Sequence, residues 1–103
     1  MIIVAGSAVF DVDHLDEVRA ENRKIEEITR AEDGCLYYAM AFDDPDKGEV
    51  TVLEQWRDNA SLDAHLLTES LKQFQARVIG HARDFSIKRY EVGAGQEVGT
   101  PEG

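Results

Sequence analysis

Three side chains able to take part in chemistry lie close together in the segment "VLEQWRDNASLDAHL", residues 52–66. They are Glu54, Trp56, which is the only tryptophan of the chain, and His65. An imidazole gains and loses a proton near neutral pH, a carboxylate can accept one, and an indole stacks on flat aromatic molecules. These residue types are typical of a site that deprotonates an aromatic ligand, although they also occur as ordinary core and capping residues.

The spacing of these residues predicts which of them can meet. Glu54 and Trp56 are two positions apart in a predicted strand, so their side chains share one face of the sheet. His65 falls between Leu62 and Leu66 on the apolar stripe of the helix that follows. His65 is therefore either a general base or a core histidine satisfied by a carboxylate or carbonyl such as that of Glu54, and one His–Glu pair could serve both purposes.

Three further residues are candidates for contact with a substrate. Tyr38 lies among apolar residues in the predicted second strand, Ser7 interrupts the apolar first strand, and Phe74 lies on the apolar stripe of the last helix. Each of them is also a common packing residue, so core packing remains the competing interpretation.

No metal or cofactor site is expected from the sequence. His14 and His81 lie near predicted helix ends and are expected to face solvent, and the three histidines show neither HxH nor HExxH spacing. The sequence also lacks a glycine-rich phosphate loop. Cys35 is the only cysteine, which excludes a disulfide within the chain.

The elements that position these residues are predicted from apolar periodicity and from turn residues. The first helix is expected to start at an N-cap, Asp13, and to end at Gly34, with Leu15, Val18, Ile25 and Ile28 on its apolar face. The second helix is expected to start at Asp58, to restart at Thr68 and to continue to Gly80. The four strands are predicted over residues 2–10, 35–44, 49–57 and 84–92.

This order, βαββαβ, predicts an α+β ferredoxin-like domain over residues 1–92, followed by a tail, residues 93–103, that is flexible or contacts a dimer partner. Two helices can cover only one face of the sheet, yet the first two strands are apolar on both faces. In the second strand, the residues on one face are Leu36, Tyr38, Met40 and Phe42, and those on the other are Cys35, Tyr37, Ala39 and Ala41. The uncovered face predicts a homodimer in which two sheets pack face to face.

The composition limits the class of partner. The chain has 103 residues, which suits one domain, and 21 acidic against 11 basic residues leave a net charge of −10. Nucleic acids and anionic membranes select for clusters of Lys and Arg, so neither is an expected partner. The apolar run "MIIVAGSAVF" has no basic segment before it and is too short to span a bilayer, which favours a cytoplasmic protein.

Two segments, "EDGCLYYAMAFDD" and "VTVLEQWRDNASLDAHLLTESLKQF", resemble the antibiotic biosynthesis monooxygenase family over roughly residues 2–92. The shared features are the pattern "GC..Y" and the residues Glu54, Trp56 and His65 in "E.W" and "Hl.t", and "EQW" is most similar to the small quinol monooxygenase branch. The resemblance implies a dimeric α+β barrel that oxidises a quinol or polyphenol with O₂, without metal or flavin. In that chemistry His65 would act as base or orient the substrate, and Trp56 and Tyr38 would form walls of the pocket.

This chain lacks residues that are typical of two other branches of the family. The haem-degrading branch uses an asparagine in the first strand and an axial histidine farther along the second helix, where this chain has residues such as Gln75. The polyketide-tailoring branch has an asparagine where this chain has Val52. Two other functions stay open on the same fold: a non-catalytic binding or regulatory dimer, and a proton-transfer enzyme such as an isomerase or a cyclase.

Overall fold

The computed structural model describes residues 1–99 and confirms the ferredoxin-like order predicted from the sequence. Short 3₁₀ turns precede the first helix and follow the last. The elements are β1 (Ile2–Phe10), α1 (Leu15–Arg30), β2 (Cys35–Asp44), β3 (Glu49–Trp56), α2 (Asn59–Leu66), α3 (Glu69–Val78) and β4 (Ala82–Glu91). Within the described residues, no helix is long and apolar enough to cross a membrane.

The four strands form one antiparallel sheet in the order β2-β3-β1-β4. All three helices lie on one side of the sheet, and the core between them divides into two apolar clusters. One cluster surrounds the start of α1 and the other surrounds Trp56. Their buried members are Ala8, Phe10, Leu15, Val18, Val50 and Val78 in the first, and Ile2, Val4, Trp56 and Leu62 in the second.

A glycine in β1 allows the edge strand β4 to approach closely. Gly6 lies between Val52 of β3 and Ile87 of β4 in the register of the sheet. A Cβ atom at this position would overlap the carbonyl group of Ser86 and the Cα atom of Ile87. Because both are backbone atoms, any larger residue would have to displace β4 itself.

The start and the buried face of α1 differ from the prediction. Asp11, rather than Asp13, caps the 3₁₀ turn that leads into the helix, and it accepts a hydrogen bond of 3.2 Å from the backbone N–H of Asp13. Thr29 is fully buried, whereas Ile28 is about half exposed. The buried positions advance by three and four residues at a time, and this spacing reaches 29 rather than 28: Leu15, Val18, Asn22, Ile25 and Thr29.

The other helix ends agree with the prediction in part. Gly34 has φ = 83°, the left-handed conformation expected of it, but it lies in the turn beyond the end of α1 rather than capping the helix. The prediction of a break between α2 and α3 is confirmed. Asp58 and Thr68 cap these helices by accepting hydrogen bonds from the backbone N–H groups of Ser61 and Leu71.

An irregularity in β2 exchanges two side chains between the faces of the sheet. The pairing register with β3 shifts between Cys35 and Tyr37, so Cys35 lies opposite Trp56 and packs against the cluster around it. Leu36 is exposed as a result. The predicted grouping of Leu36 with Tyr38 is therefore wrong, because one extra residue in a strand reverses the alternation of faces.

Candidate functional site

A cavity lies between α2, α3 and the sheet, and it separates the two clusters of the core. It consists of two adjoining compartments with volumes of about 380 and 320 Å³. The first is almost entirely apolar, and the second contains charged side chains at one end. The residues that line both compartments are Met40, Val52, Phe74, Gln75, Phe85 and Ile87.

Glu54 lies in the wall of the polar compartment and is only 8% exposed. Its Oε1 atom accepts a hydrogen bond of 2.9 Å from the indole Nε1–H of Trp56. Burial raises the pKa of Glu54 above its usual range, because the charged form loses its hydration. The indole hydrogen bond and the charge of His65 lower this pKa in part, and the neighbouring charge of Glu32 raises it further.

His65 lines the same compartment and is held by contacts on two sides. Its Nδ1 atom lies 2.8 Å from Oε2 of Glu32, and its ring lies against the indole of Trp56 with the ring centres 4.7 Å apart. The carboxylate that satisfies His65 is thus Glu32, rather than the predicted Glu54. A carboxylate next to Nδ1 orients the ring and favours a proton on that atom, so a proton taken from a ligand would go to Nε2.

Trp56 does not form a wall of the cavity. Its side chain is fully buried among Ile2, Val4, Leu62 and Cys35, and it lies behind Glu54 and His65 as seen from the cavity. No surface of the indole is left on which a ligand could stack. Trp56 instead positions the two titratable groups, through the hydrogen bond to one and ring contact with the other.

Of the three residues predicted to contact the substrate, only one lines the cavity. Phe74 lines both compartments. Tyr38 is buried on the same side of the sheet but lines neither; its hydroxyl donates a hydrogen bond of 3.2 Å to Oδ1 of Asn22, and burial raises its pKa. Ser7 is exposed on the opposite face of the sheet, between Thr51 and Ser86. Tyr38 and Ser7 therefore do not contribute to this cavity.

Several residues of the site were not identified from the sequence. Glu32 lies in the turn that follows α1, where no periodicity marks it as a partner of His65. Gln75 lines both compartments, and Arg89 of β4 lines the polar one, where its guanidinium forms an ion pair of 2.9 Å with Asp63. The position of Gln75 on the cavity side of α3 follows from its place four residues after Leu71 and three before Val78, the two buried residues of that helix, and this helical spacing is the signal that could have found it.

Together these groups give the cavity a defined chemical character. A histidine oriented by a carboxylate and a carboxyl group with a raised pKa lie at one end of a largely apolar space. Such an arrangement can take a proton from the hydroxyl group of a ligand whose ring lies in the apolar compartment.

Comparison with known proteins agrees with this fold. The sequence profile described as antibiotic biosynthesis monooxygenase matches residues 1–77. A crystal structure from Deinococcus radiodurans, named as a candidate antibiotic biosynthesis monooxygenase, has a TM-score of 0.88 and 26% identity and covers 97% of this chain and 100% of its own.

Two further solved structures are similar over most of their lengths. One, named an antibiotic biosynthesis monooxygenase, has a TM-score of 0.81 and 29% identity, over 90% of this chain and 99% of its own. A protein from Pseudomonas aeruginosa has a TM-score of 0.79 and 27% identity, and the match covers 90% of this chain and 94% of that protein. No protein of curated function is significantly similar in sequence. Because the family profile covers most of the chain, this protein belongs to the antibiotic biosynthesis monooxygenase family.

Proposed function

We propose that this protein is a monooxygenase that oxidises a quinol or polyphenol with O₂. The observation that carries the proposal is the Glu32–His65 pair, which lies beside the buried Glu54 at the end of an apolar cavity. Membership of the family supports a monooxygenase in general, and the apolar space with a base at one end supports a phenolic substrate.

The reaction needs no electron donor other than the substrate. A quinol that loses a proton becomes a phenolate, which is electron-rich enough to reduce O₂. One oxygen atom is then inserted into the ring, the other leaves as water, and the substrate is oxidised to a hydroxylated quinone. The protein has to deprotonate the substrate, orient it and exclude water, and no metal or flavin takes part in these steps.

Each role can be assigned to a side chain in the cavity. Nε2 of His65 takes the phenolic proton, and Glu32 stabilises the imidazolium that forms. Arg89 lies in the wall of the polar compartment, where its guanidinium, held 2.9 Å from Asp63, is the hydrogen-bond donor proposed for the phenolate. Phe74 and Phe85 form apolar walls that contact the ring of the substrate.

We also propose that the working form is a homodimer. The face of the sheet away from the helices is apolar in its middle and carries single polar residues in each row. One row consists of Tyr37, Gln55, Ile3 and Tyr90, and the next of Ala39, Leu53, Ala5 and Lys88. Tyr37, Leu53 and Tyr90 are all exposed. An apolar surface of this kind is normally covered, and a second copy of the same sheet is a complementary cover.

The test is O₂ consumption by the purified protein with a panel of benzoquinols, naphthoquinols and simple phenols. Wild type is expected to consume one O₂ per substrate oxidised. His65→Ala should lower turnover about 100-fold or more, the usual scale for removing a general base. Glu32→Gln keeps the size of the side chain but removes its charge, so it should lower turnover while leaving substrate binding nearly unchanged.

Activity is expressed per folded molecule, because His65 is buried and its removal will also lower stability. Glu27→Gln is the matched control for Glu32→Gln, since it removes one exposed carboxylate from α1, five residues before Glu32, and should leave turnover unchanged. Equal turnover per folded molecule in wild type and His65→Ala would contradict the assigned role. Turnover of the same substrates without O₂ would identify a proton-transfer enzyme instead, and binding without turnover would identify a binding protein.

A further inference from the structure

A second group of titratable side chains lies outside the cavity, where the two 3₁₀ turns meet α1. Nδ1 of His14 lies 3.3 Å from Oε1 of Glu17, and Nε2 of His81 lies 3.3 Å from Oε2 of the same carboxylate. The two imidazole rings are stacked, with centres 4.2 Å apart and planes inclined by 16°. We propose that His14, Glu17 and His81 form a binding site for a divalent transition-metal ion of the Zn²⁺ type.

The distances within the group suit such an ion. Two ligand atoms bound to one tetrahedral Zn²⁺, each at about 2.0–2.1 Å, lie about 3.3 Å from each other. Each histidine nitrogen lies at this distance from one of the two oxygens of Glu17, and one ligand atom from each residue lies within 4.8 Å of the others. Because the two rings are stacked nearly parallel, at least one imidazole must rotate to direct its nitrogen at a shared ion, and the side chain of His14, which is 43% exposed, has room to do so.

The ligand types also indicate which ions would bind. Two imidazoles and one carboxylate are a recurrent ligand set for Zn²⁺, with water in the fourth position. Because Glu17 is largely exposed, water has free access to that position. Imidazole nitrogen is a weak ligand for Mg²⁺, which prefers oxygen, so the site should discriminate between the two ions.

The site would connect distant parts of the chain. His14 ends the turn between β1 and α1, and His81 ends the turn between α3 and β4. These turns already share a backbone hydrogen bond of 2.8 Å from the N–H of Asp11 to the carbonyl of His81. Ile79 and Ala82, on either side of His81, line the apolar compartment of the cavity. A bound ion would therefore stabilise one end of that cavity.

Calorimetric titration of the full chain with ZnCl₂ tests this site. We expect one ion per chain, and a melting temperature raised by about 4 °C or more at saturating ion. Three variants, His14→Ala, His81→Ala and Glu17→Gln, should each weaken binding of Zn²⁺ at least about 10-fold. Loss of a residue that only hydrogen-bonds to a metal ligand already has an effect of this size. Co²⁺ in place of Zn²⁺ should give the visible absorption bands of a tetrahedral site with two nitrogen ligands.

Glu27→Gln, which removes another exposed carboxylate of α1, is the control and should bind Zn²⁺ like wild type. MgCl₂ should neither bind at this site nor raise the melting temperature. The proposal is overturned if Zn²⁺ does not bind, if binding survives in His14→Ala and His81→Ala, or if Mg²⁺ stabilises the protein equally. The circular dichroism of each variant shows whether it is folded, and Glu17→Gln, which alters no ring contact, keeps the test decisive if a histidine variant unfolds.

Discussion

At the scale of single residues, the protonation of Glu54 makes the stability of the folded protein depend on pH. Its pKa in the folded protein lies above the ordinary value of 4.5, chiefly because the carboxyl group is buried. The folded state therefore keeps the proton in a pH range where the unfolded state has lost it. The contribution of Glu54 to the free energy of unfolding is complete below pH 4.5 and is lost as the pH rises through the raised pKa.

Glu54→Gln should consequently make the protein more stable than wild type at neutral pH. The amide oxygen can still accept the hydrogen bond from Trp56, and the side chain cannot ionise. The advantage should shrink as the pH falls towards 4.5, where wild-type Glu54 is protonated as well. Urea unfolding of both proteins between pH 4 and pH 8 measures this difference. An advantage that does not depend on pH, or a loss of stability at pH 7, would contradict the raised pKa.

At the scale of the elements, the cavity depends on the close pairing of β1 with β4. Gly6→Ala places a methyl group against the backbone of Ser86 and Ile87, so β4 must move. We expect the free energy of unfolding to fall by about 1–3 kcal/mol, the usual range for overpacking. Because Ile87 lines both compartments, affinity for a cavity ligand should fall as well.

Gly80→Ala is the matched control for this substitution. A Cβ atom at Gly80 meets no other atom within 4 Å, and its φ angle is not positive. Chemical denaturation should therefore show little loss of stability in Gly80→Ala. If Gly6→Ala is as stable as Gly80→Ala, the sheet relaxes at this point more easily than the contacts indicate.

At the scale of the whole molecule, the open face of the sheet predicts self-association. Sedimentation equilibrium at micromolar concentration should give a dimer, whose interface is expected to bury on the order of 1,600 Å² or more. Leu53 lies in the middle of this face and is 39% exposed. Leu53→Asp should therefore produce a monomer, because two buried carboxylates would face each other across a two-fold interface.

Leu67→Asp is the corresponding control. Leu67 is more exposed than Leu53 and follows α2, so it lies away from the open face of the sheet. This variant should remain a dimer with the wild-type sedimentation profile. A monomeric wild-type protein, or a dimer that persists in Leu53→Asp, would contradict face-to-face pairing.

The sequence alone determined the features that depend on near neighbours. Alternation in β3 placed Glu54 and Trp56 on one face, and capping residues located the starts of α2 and α3 at Asp58 and Thr68. Each of these inferences rests on residues a few positions apart, whose relation is set by the period of a strand or a helix. The element order followed from the same local patterns.

Only the tertiary structure decided which side chains meet across the fold. It brought Glu32 to His65, enclosed Trp56 completely, and placed Tyr38 and Ser7 away from the cavity. The grouping of His14 and His81 around one carboxylate likewise depends on two turns that are far apart in the sequence. These relations follow from the order of the strands in the sheet and from the packing of the helices on it. Neither can be predicted from the spacing of residues within one helix or strand.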